Sequence, residues 1–301
     1  MTTSAERPAG SGLVVVDKPA GMTSHDVVGR VRRVAGTRKV GHAGTLDPMA
    51  TGVLVLGVNQ ATRLLGHLLA SAKGYDATVR LGASTSTDDA EGKITSQTPA
   101  SQVTETDARA ALAQFVGDID QVPSSVSAIK VGGQRAYARV RAGESVELAA
   151  RGVRIESLEL TGIRREDAFL DIDISVQCSS GTYIRALARD LGSVLRVGGH
   201  LTMLRRTSVG GFGLPEARPL AELESVASLH LIGLGAAARR CFPTHVVDPG
   251  AARDISFGRK LEVDLGCAGP VAVLDESEEL LALYEQRGSL AVPVTVFAGS
   301  G

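Results

Sequence analysis

The 301 residues are 44% hydrophobic and 22% charged, carry a formal net charge of −1, and include three cysteines and no tryptophan. That balance excludes a disordered or fibrous chain and leaves room for a large core and more than one domain. No stretch approaches the roughly 20 apolar residues of a membrane-spanning helix, and the scattered Cys178, Cys241 and Cys267 suggest neither a disulfide framework nor a zinc site.

In chain order, residues 1–11 are polar and lack a signal-like apolar core. They read as a disordered tail on a cytoplasmic protein. Leu13-Val14-Val15-Val16 reads as a buried strand ending at Asp17-Lys18-Pro19. Thr23 or Ser24 can cap a helix with Val27, Val28, Val31 and Val34 on one side and Arg30, Arg32 and Arg33 on the other. Then comes Gly41-His42-Ala43-Gly44-Thr45-Leu46-Asp47-Pro48-Met49-Ala50-Thr51-Gly52. Its three glycines permit unusual backbone angles, and Pro48 restricts Asp47. A strand, Val53 to Val58, follows, and Asn59 can cap a helix striped with Ala61, Leu64, Leu65, Leu68 and Leu69. Tyr75, Ala77, Val79 and Leu81 alternate as in a half-buried strand, and residues 84–102 read as a polar loop.

Thr104 opens a helix to about Val116. Residues 124–152 are basic and poor in large apolar side chains, which reads as an excursion from the core. Two strands follow, Val153–Leu160 and Leu170–Val176, then the corner Ser179-Ser180-Gly181-Thr182 and a helix with Ile184, Leu187, Ala188 and Leu191 on one face. His200 to Val209 reads as a strand, with helices near 220–227 and 231–240. Beyond a boundary at Pro243–Pro249, three short strand-like runs suggest a small β-rich domain leaning on the main one. Strands and helices mix without a βαβ rhythm. The expected class is therefore α+β with a mixed, largely antiparallel central sheet flanked by helices and loops.

Charge is unevenly distributed. Lys18–Lys39 holds six basic residues against one acid, Lys130–Arg154 six against two, and Arg185–Arg206 five against one. Acids gather at Asp88-Asp89-Glu91 and Asp275–Glu279. Positive segments on one face would bind phosphates, while solvated helix faces explain the same charges without a ligand.

A carboxylate nucleophile needs a fixed position and a cation or donors to aim it. Asp47 has the stiff backbone, though a turn-forming aspartate is an equal reading. Arg185, in the first turn after the 179–182 corner, is the candidate aiming cation. A solvent-facing helix charge is the alternative. Aromatic residues are only 3% of the chain, so Tyr75, Tyr137 and Tyr183 are weighed singly as base-stacking rings or packing residues. Nucleotide-phosphate loops and hydrolase elbows are absent from the sequence, and the six histidines lack metal-ligand spacing. Cys178 has no histidine nearby in sequence to make it a nucleophile.

Several stretches together resemble one family. Asp17-Lys18-Pro19-Ala20-Gly21-Met22-Thr23-Ser24, the Gly41–Gly52 run, Lys73-Gly74-Tyr75, Cys178-Ser179-Ser180-Gly181-Thr182-Tyr183-Ile184-Arg185 and Leu204-Arg205-Arg206 are similar to the TruB family of tRNA pseudouridine synthases, in the family's order. The resemblance implies conversion of the uridine at position 55 in the T loop of tRNA to pseudouridine, with base flipping and no cofactor or metal. It implies Asp47 as nucleophile on either C1′ of the ribose or C6 of the base, and Arg185 as the paired arginine. Tyr75 would stack on the flipped uridine, Tyr183 and Leu204 would wall the pocket, and Lys18 and Pro19 would support its floor. His42 would fill the space the flipped bases vacate.

The same resemblance makes 124–152 an RNA-binding thumb, with Lys130, Arg139 and Arg141 as contacts alongside Arg205. It implies a catalytic domain over 12–245 and a small PUA-like RNA-binding domain over 246–301. The expected partner is the tRNA T stem-loop, with no membrane and no obligate protein partner, and the expected state is a monomer. A tRNA-folding role, alone or beside the chemistry, and action on another RNA are the rival readings.

Overall fold

The computed structural model describes residues 10–124, 130–131, 134–135 and 148–297. In chain order the elements are β1 (Gly12–Lys18), α1 (Ser24–Ala35), β2 (Val40–His42), β3 (Thr51–Val58), α2 (Leu65–Leu69), β4 (Lys73–Leu81), β5 (Ala83–Thr85), β6 (Ile94–Gln97), α3 (Glu105–Ala113) and β7 (Gly117–Gln121). They continue with β8 (Lys130–Val131), β9 (Gln134–Arg135), β10 (Arg151–Glu166), β11 (Phe169–Cys178), α4 (Ile184–Val194), β12 (Gly199–Val209), β13 (Phe212–Gly213) and β14 (Arg218–Pro219). Last come α5 (Leu220–Ser225), α6 (Leu234–Cys241), β15 (Thr244–Val246), α7 (Pro249–Ser256), β16 (Val271–Leu274), β17 (Leu280–Arg287) and β18 (Leu290–Val296). The class is α+β, with parallel pairing between β1 and β14 and antiparallel pairing between β1 and β3.

Two compact units account for the chain: Met1–Pro48, Gly52–Leu69 and Val209–Gly301 in one, Met49–Thr51 and Ala70–Ser208 in the other. In the first unit the strand order is β14-β1-β3, with β2 also on β3. The unbroken apolar run of β1 is buried throughout, as expected of a strand covered on both faces. Leu13, Val15, Val53 and Val55 share a core with Leu64, Leu68, Phe212, Ala237 and Ala238. That core also takes Ala272, Leu274, Leu280, Leu283 and Phe297 from the small sheet β15-β16-β17-β18. The other side of the small sheet is covered by Val247, Ile255 and Leu261, packed with Val273, Ala282 and Tyr284.

In the second unit the order is β12-β4-β11-β10-β7. β11 alternates: Leu170, Ile172, Ile174 and Val176 are buried, while Asp171 and Asp173 meet cations. Arg80 donates to Asp171 at 2.8 Å and to Glu166 at 2.6 Å, Arg164 pairs with Asp173, and Arg80 lies over the Phe169 ring. Helix α4 buries Ile184, Leu187, Ala188 and Leu191.

Several local expectations change. Asn59 caps nothing. It sits at φ 55 and opens a 3₁₀ turn, Asn59–Leu64, before the short α2. Its amide donates to Gly10 O at 3.1 Å and accepts from Thr37 Oγ1 at 2.9 Å, which tie its side chain to the preceding chain. The polar 84–102 stretch contains the hairpin β5–β6. Thr104 does cap α3, but the helix ends at Ala113. The stretch read as a boundary holds β15, paired parallel to β16, and α7, capped by Asp248 with Pro249 in its first turn. Of the expected tail, residues 1–9 lie outside the described residues, as does most of 124–152. Among the described residues no helix is long and apolar enough to cross a membrane.

Gly192 of α4 packs directly on Gly198 and Gly199. A Cβ there would come within 2.1 Å of Gly199 N and 2.2 Å of Gly198 C. Neither contact can be relieved by a side-chain rotation. Gly192→Ala is expected to destabilise by about 3 kcal/mol or more, read as a lower urea midpoint at unchanged slope. An unchanged midpoint would contradict the close approach.

Candidate active site

In the first unit β2 pairs antiparallel with β3, so His42 lies opposite Leu56 at the end of the ladder, half-buried. The Ala43 N–H donates to Val55 O at 2.9 Å, and the chain then leaves the sheet. Gly44 at φ 108 and Gly52 at φ 99 bracket the excursion with angles that other residues resist. Gly41 has no such angle. There a Cβ would instead press on Leu65 Cδ1 at 3.0 Å.

Asp47 stands half-buried between residues whose backbones are both held. On one side the Leu46 N–H donates to Ser24 Oγ at 2.8 Å, and that hydroxyl donates to Leu46 O at 3.2 Å. On the other, Pro48 O accepts from Gly21 N at 2.8 Å and from Lys18 Nζ at 3.2 Å. Lys18 is fully buried, and its ammonium also donates to Met22 O at 2.7 Å and Pro19 O at 2.9 Å. Three backbone carbonyls thus accept from one ammonium. Sequence reasoning gave Lys18 a role at the site's floor and Ser24 only that of a possible helix cap. Thr23 forms the capping box with Asp26, and Ser24, 2% exposed, turns to Leu46 instead.

In the second unit, β11 ends at Cys178 and the chain turns through Gly181 at φ 85, with Thr182 Oγ1 donating to Ser179 O at 3.0 Å. Tyr183 is the N-cap of α4 and Arg185 lies in its first turn. Arg185 is 5% exposed, so it is not a solvent-facing charge. Its Nη1 donates to Thr87 O at 3.1 Å and lies 3.3 Å from Asp89 Oδ2. Asp89 is equally buried and accepts from Thr87 Oγ1 and from the Glu91 N–H at 3.1 Å. The acid cluster that the sequence set apart therefore supplies the anion beside Arg185. Next to it, burial pushes the Asp88 carboxyl above its ordinary range, and Arg189 approaches it at 3.4 Å.

Tyr75 on β4 and Leu204 on β12 are buried at 7% and 6% exposure. Arg205 Nη1 donates to Thr51 Oγ1 at 3.3 Å. Lys73 and Arg206 are both buried. Burial, and secondarily the Arg206 charge, pull the Lys73 ammonium down to about 8, while its Nζ donates to Ser71 O at 2.7 Å. Cys178 is fully buried and burial pushes its thiol up, which removes it as a nucleophile. Lys130 lies in the β8–β9 hairpin, and Arg139 and Arg141 lie outside the described residues. Among the described residues no three of His, Cys, Asp and Glu cluster as a metal site would require.

Three family models match in succession. TruB family pseudouridylate synthase (N terminal domain) covers residues 32–184. The tRNA pseudouridylate synthase B C-terminal domain covers 185–233, and tRNA Pseudouridine synthase II, C terminal, covers 242–298. The chain belongs to the TruB family. Within it, the proteins named tRNA pseudouridine synthase B from Arthrobacter sp. (strain FB24) and Thermobifida fusca (strain YX) are 55% identical over 300 residues and 54% over 293. Those matches cover 96% of this chain in each case, and 97% and 99% of the relatives.

The family fold extends to solved structures. A Cbf5-Nop10-Gar1 complex aligns with TM-score 0.72 at 24% identity, over 95% of this chain and 84% of that one. An H/ACA RNP bound to a substrate RNA containing 2′-deoxyuridine aligns with TM-score 0.71 at 23%, with the same coverage. The Gly41–Gly52 run and the Thr182–Ile184 stretch fall inside the N-terminal family model, and Arg185 opens the next.

Lys73 gives the fold a pH signature. Its folded value of about 8 lies below the ordinary 10.5. Below both values, folded and unfolded chains carry the proton alike and the burial penalty is fully felt. Between them only the unfolded chain holds it, so stability rises with pH. Relative to Lys73→Met, the parent is expected to gain stability from about pH 8 to about pH 10.5 in urea titrations. A pH-independent difference between the two would contradict the shift.

Proposed function

We propose that the protein isomerises uridine to pseudouridine in tRNA, at position 55 of the T loop, with Asp47 as the nucleophile. The observation that carries this reading is the fixation of the Asp47 loop by Ser24, Gly21 and Lys18. A carboxylate that must meet a base brought from outside gains from being immobile beforehand. The uridine leaves the loop's stack first, because a carboxylate on a rigid loop cannot reach a stacked base. Attack at C1′ or at C6 frees the uracil from its C1′–N1 bond. The ring turns, C1′ bonds to C5, the C5 proton leaves and N1 regains one. Product and substrate have the same atoms and electrons, so the reaction consumes no redox cofactor or energy source.

In this reading Arg185 is the cation serving the carboxylate, and its own burial against Asp89 supports a fixed role. Tyr75 stacks on the flipped uridine, Tyr183 and Leu204 bound the base, His42 takes the vacated place in the RNA and Lys18 braces the floor. Arg205, with Lys130, Arg139 and Arg141 in the 124–152 thumb, contacts RNA. Residues 12–245 carry the chemistry and 246–301 act as an accessory PUA-like RNA-binding domain. The protein acts in the cytoplasm as a monomer whose partner is the tRNA T stem-loop.

The test is purified protein on an unmodified tRNA transcript, with pseudouridine mapped by position. The parent is expected to modify position 55, and Asp47→Asn to give no product while still binding tRNA. Asp89→Asn is expected to slow single-turnover formation by about ten- to a hundredfold. Full activity of Asp47→Asn, or product only at another position, would overturn the assignment.

A further inference from the structure

We infer that Gln121 is a positioning residue for the corner that carries Tyr183 and Arg185; the inference rests on the pseudouridine synthase reading. β7 ends at Gln121, which is 2% exposed. Its Nε2 donates to Tyr183 O at 3.1 Å, and its Oε1 accepts from the Tyr183 N–H at 2.8 Å. One carboxamide thus holds both backbone polar groups of one residue, 62 positions away.

The need for it is visible at the start of α4. In a capping box the third helical side chain reaches back to the N-cap N–H, and the N-cap side chain caps the helix in return. Here the third helical residue is Ala186 and the N-cap is Tyr183, which makes no side-chain cap hydrogen bond. Neither can play its part. Gln121 supplies the missing oxygen from another strand, and its second bond, to Tyr183 O, fixes the residue's orientation as well. The Tyr183 ring and the first-turn Arg185 both depend on that orientation.

The three residues after Gln121 continue the attachment. Val122 O accepts from Arg189 Nη2 at 2.8 Å, further along α4. Ser124, fully buried, donates through Oγ to Thr87 O at 3.1 Å. That carbonyl is the one that also accepts from Arg185 Nη1. The end of β7 therefore meets the Arg185 environment at the Tyr183 peptide, at Arg189 and at the shared Thr87 carbonyl.

The test compares the parent with Gln121→Met, which keeps the length but loses both hydrogen bonds, and Gln121→Glu, which keeps the acceptor for the Tyr183 N–H. Single-turnover pseudouridine formation and affinity are both measured on an unmodified tRNA transcript. For Gln121→Met the rate is expected to fall about ten- to a hundredfold, with affinity within about twofold of the parent. Gln121→Glu should recover part of the lost rate.

A Gln121→Met rate within about threefold of the parent, or equal losses of rate and affinity, would overturn the inference. If Gln121→Met fails to fold, the same split read on Gln121→Glu decides the matter. A parent that forms no pseudouridine at all sinks the functional reading and this inference with it. An active parent with an indifferent Gln121 variant sinks only the inference.

Discussion

The Lys18 ammonium, buried on three backbone carbonyls, is the interaction on which the Asp47 loop depends. A buried charge is costly unless hydrogen bonds replace its water. Here those bonds come from Pro19, Met22 and Pro48, so one side chain ties the end of β1, the approach to α1 and the residue after Asp47. Ser24 adds the matching bonds before Asp47. Asp47 is half-buried, and the peptides on both sides of it are fixed.

The second unit uses the same device with a different cation. Arg185 is buried against Asp89 and the Thr87 carbonyl, and the Tyr183 peptide beside it is held by Gln121. These contacts draw on segments near 87–89, 121–124 and 183–189. Losing one partner of a buried pair leaves the other charge without compensation, which costs more than the loss of an exposed pair. The pairs of Arg80 with Asp171 and Arg164 with Asp173 lie on the outer face of β11, with Arg164 56% exposed. Water can reach the exposed Arg164, whereas the Asp171 carboxylate is itself buried. Lys73 differs again. Its burial and the nearby Arg206 charge weaken its hold on a proton.

Much of the fold was legible because local chemistry and global fold agree. The LVVV run of β1, the alternation of β4 and β11, the Thr23 and Thr104 caps and the apolar face of α4 each follow from patterns a few residues long. Misreadings arose where distant partners overrode the local pattern. Asn59 has cap chemistry, but its amide is engaged by Gly10 and Thr37. The polar 84–102 stretch looked like loop, yet β5 and β6 pair within it. The helix α7 begins at Pro249, inside the stretch that suggests a boundary, because proline suits the first turn of a helix.

By itself the sequence determined the family, the α+β class, the stiff glycine- and proline-bounded loop around Asp47, and the identities of Lys18, Tyr75, Tyr183 and Arg185 as candidates. Those are properties of contiguous motifs. Only the tertiary structure decided that Ser24 turns inward to Leu46, that Asp89 lies beside Arg185 and that Gln121 holds Tyr183. Each of these joins residues 22 to 96 positions apart. A buried polar group takes whichever partner the packed chain brings within about 3 Å, and sequence spacing does not encode that distance.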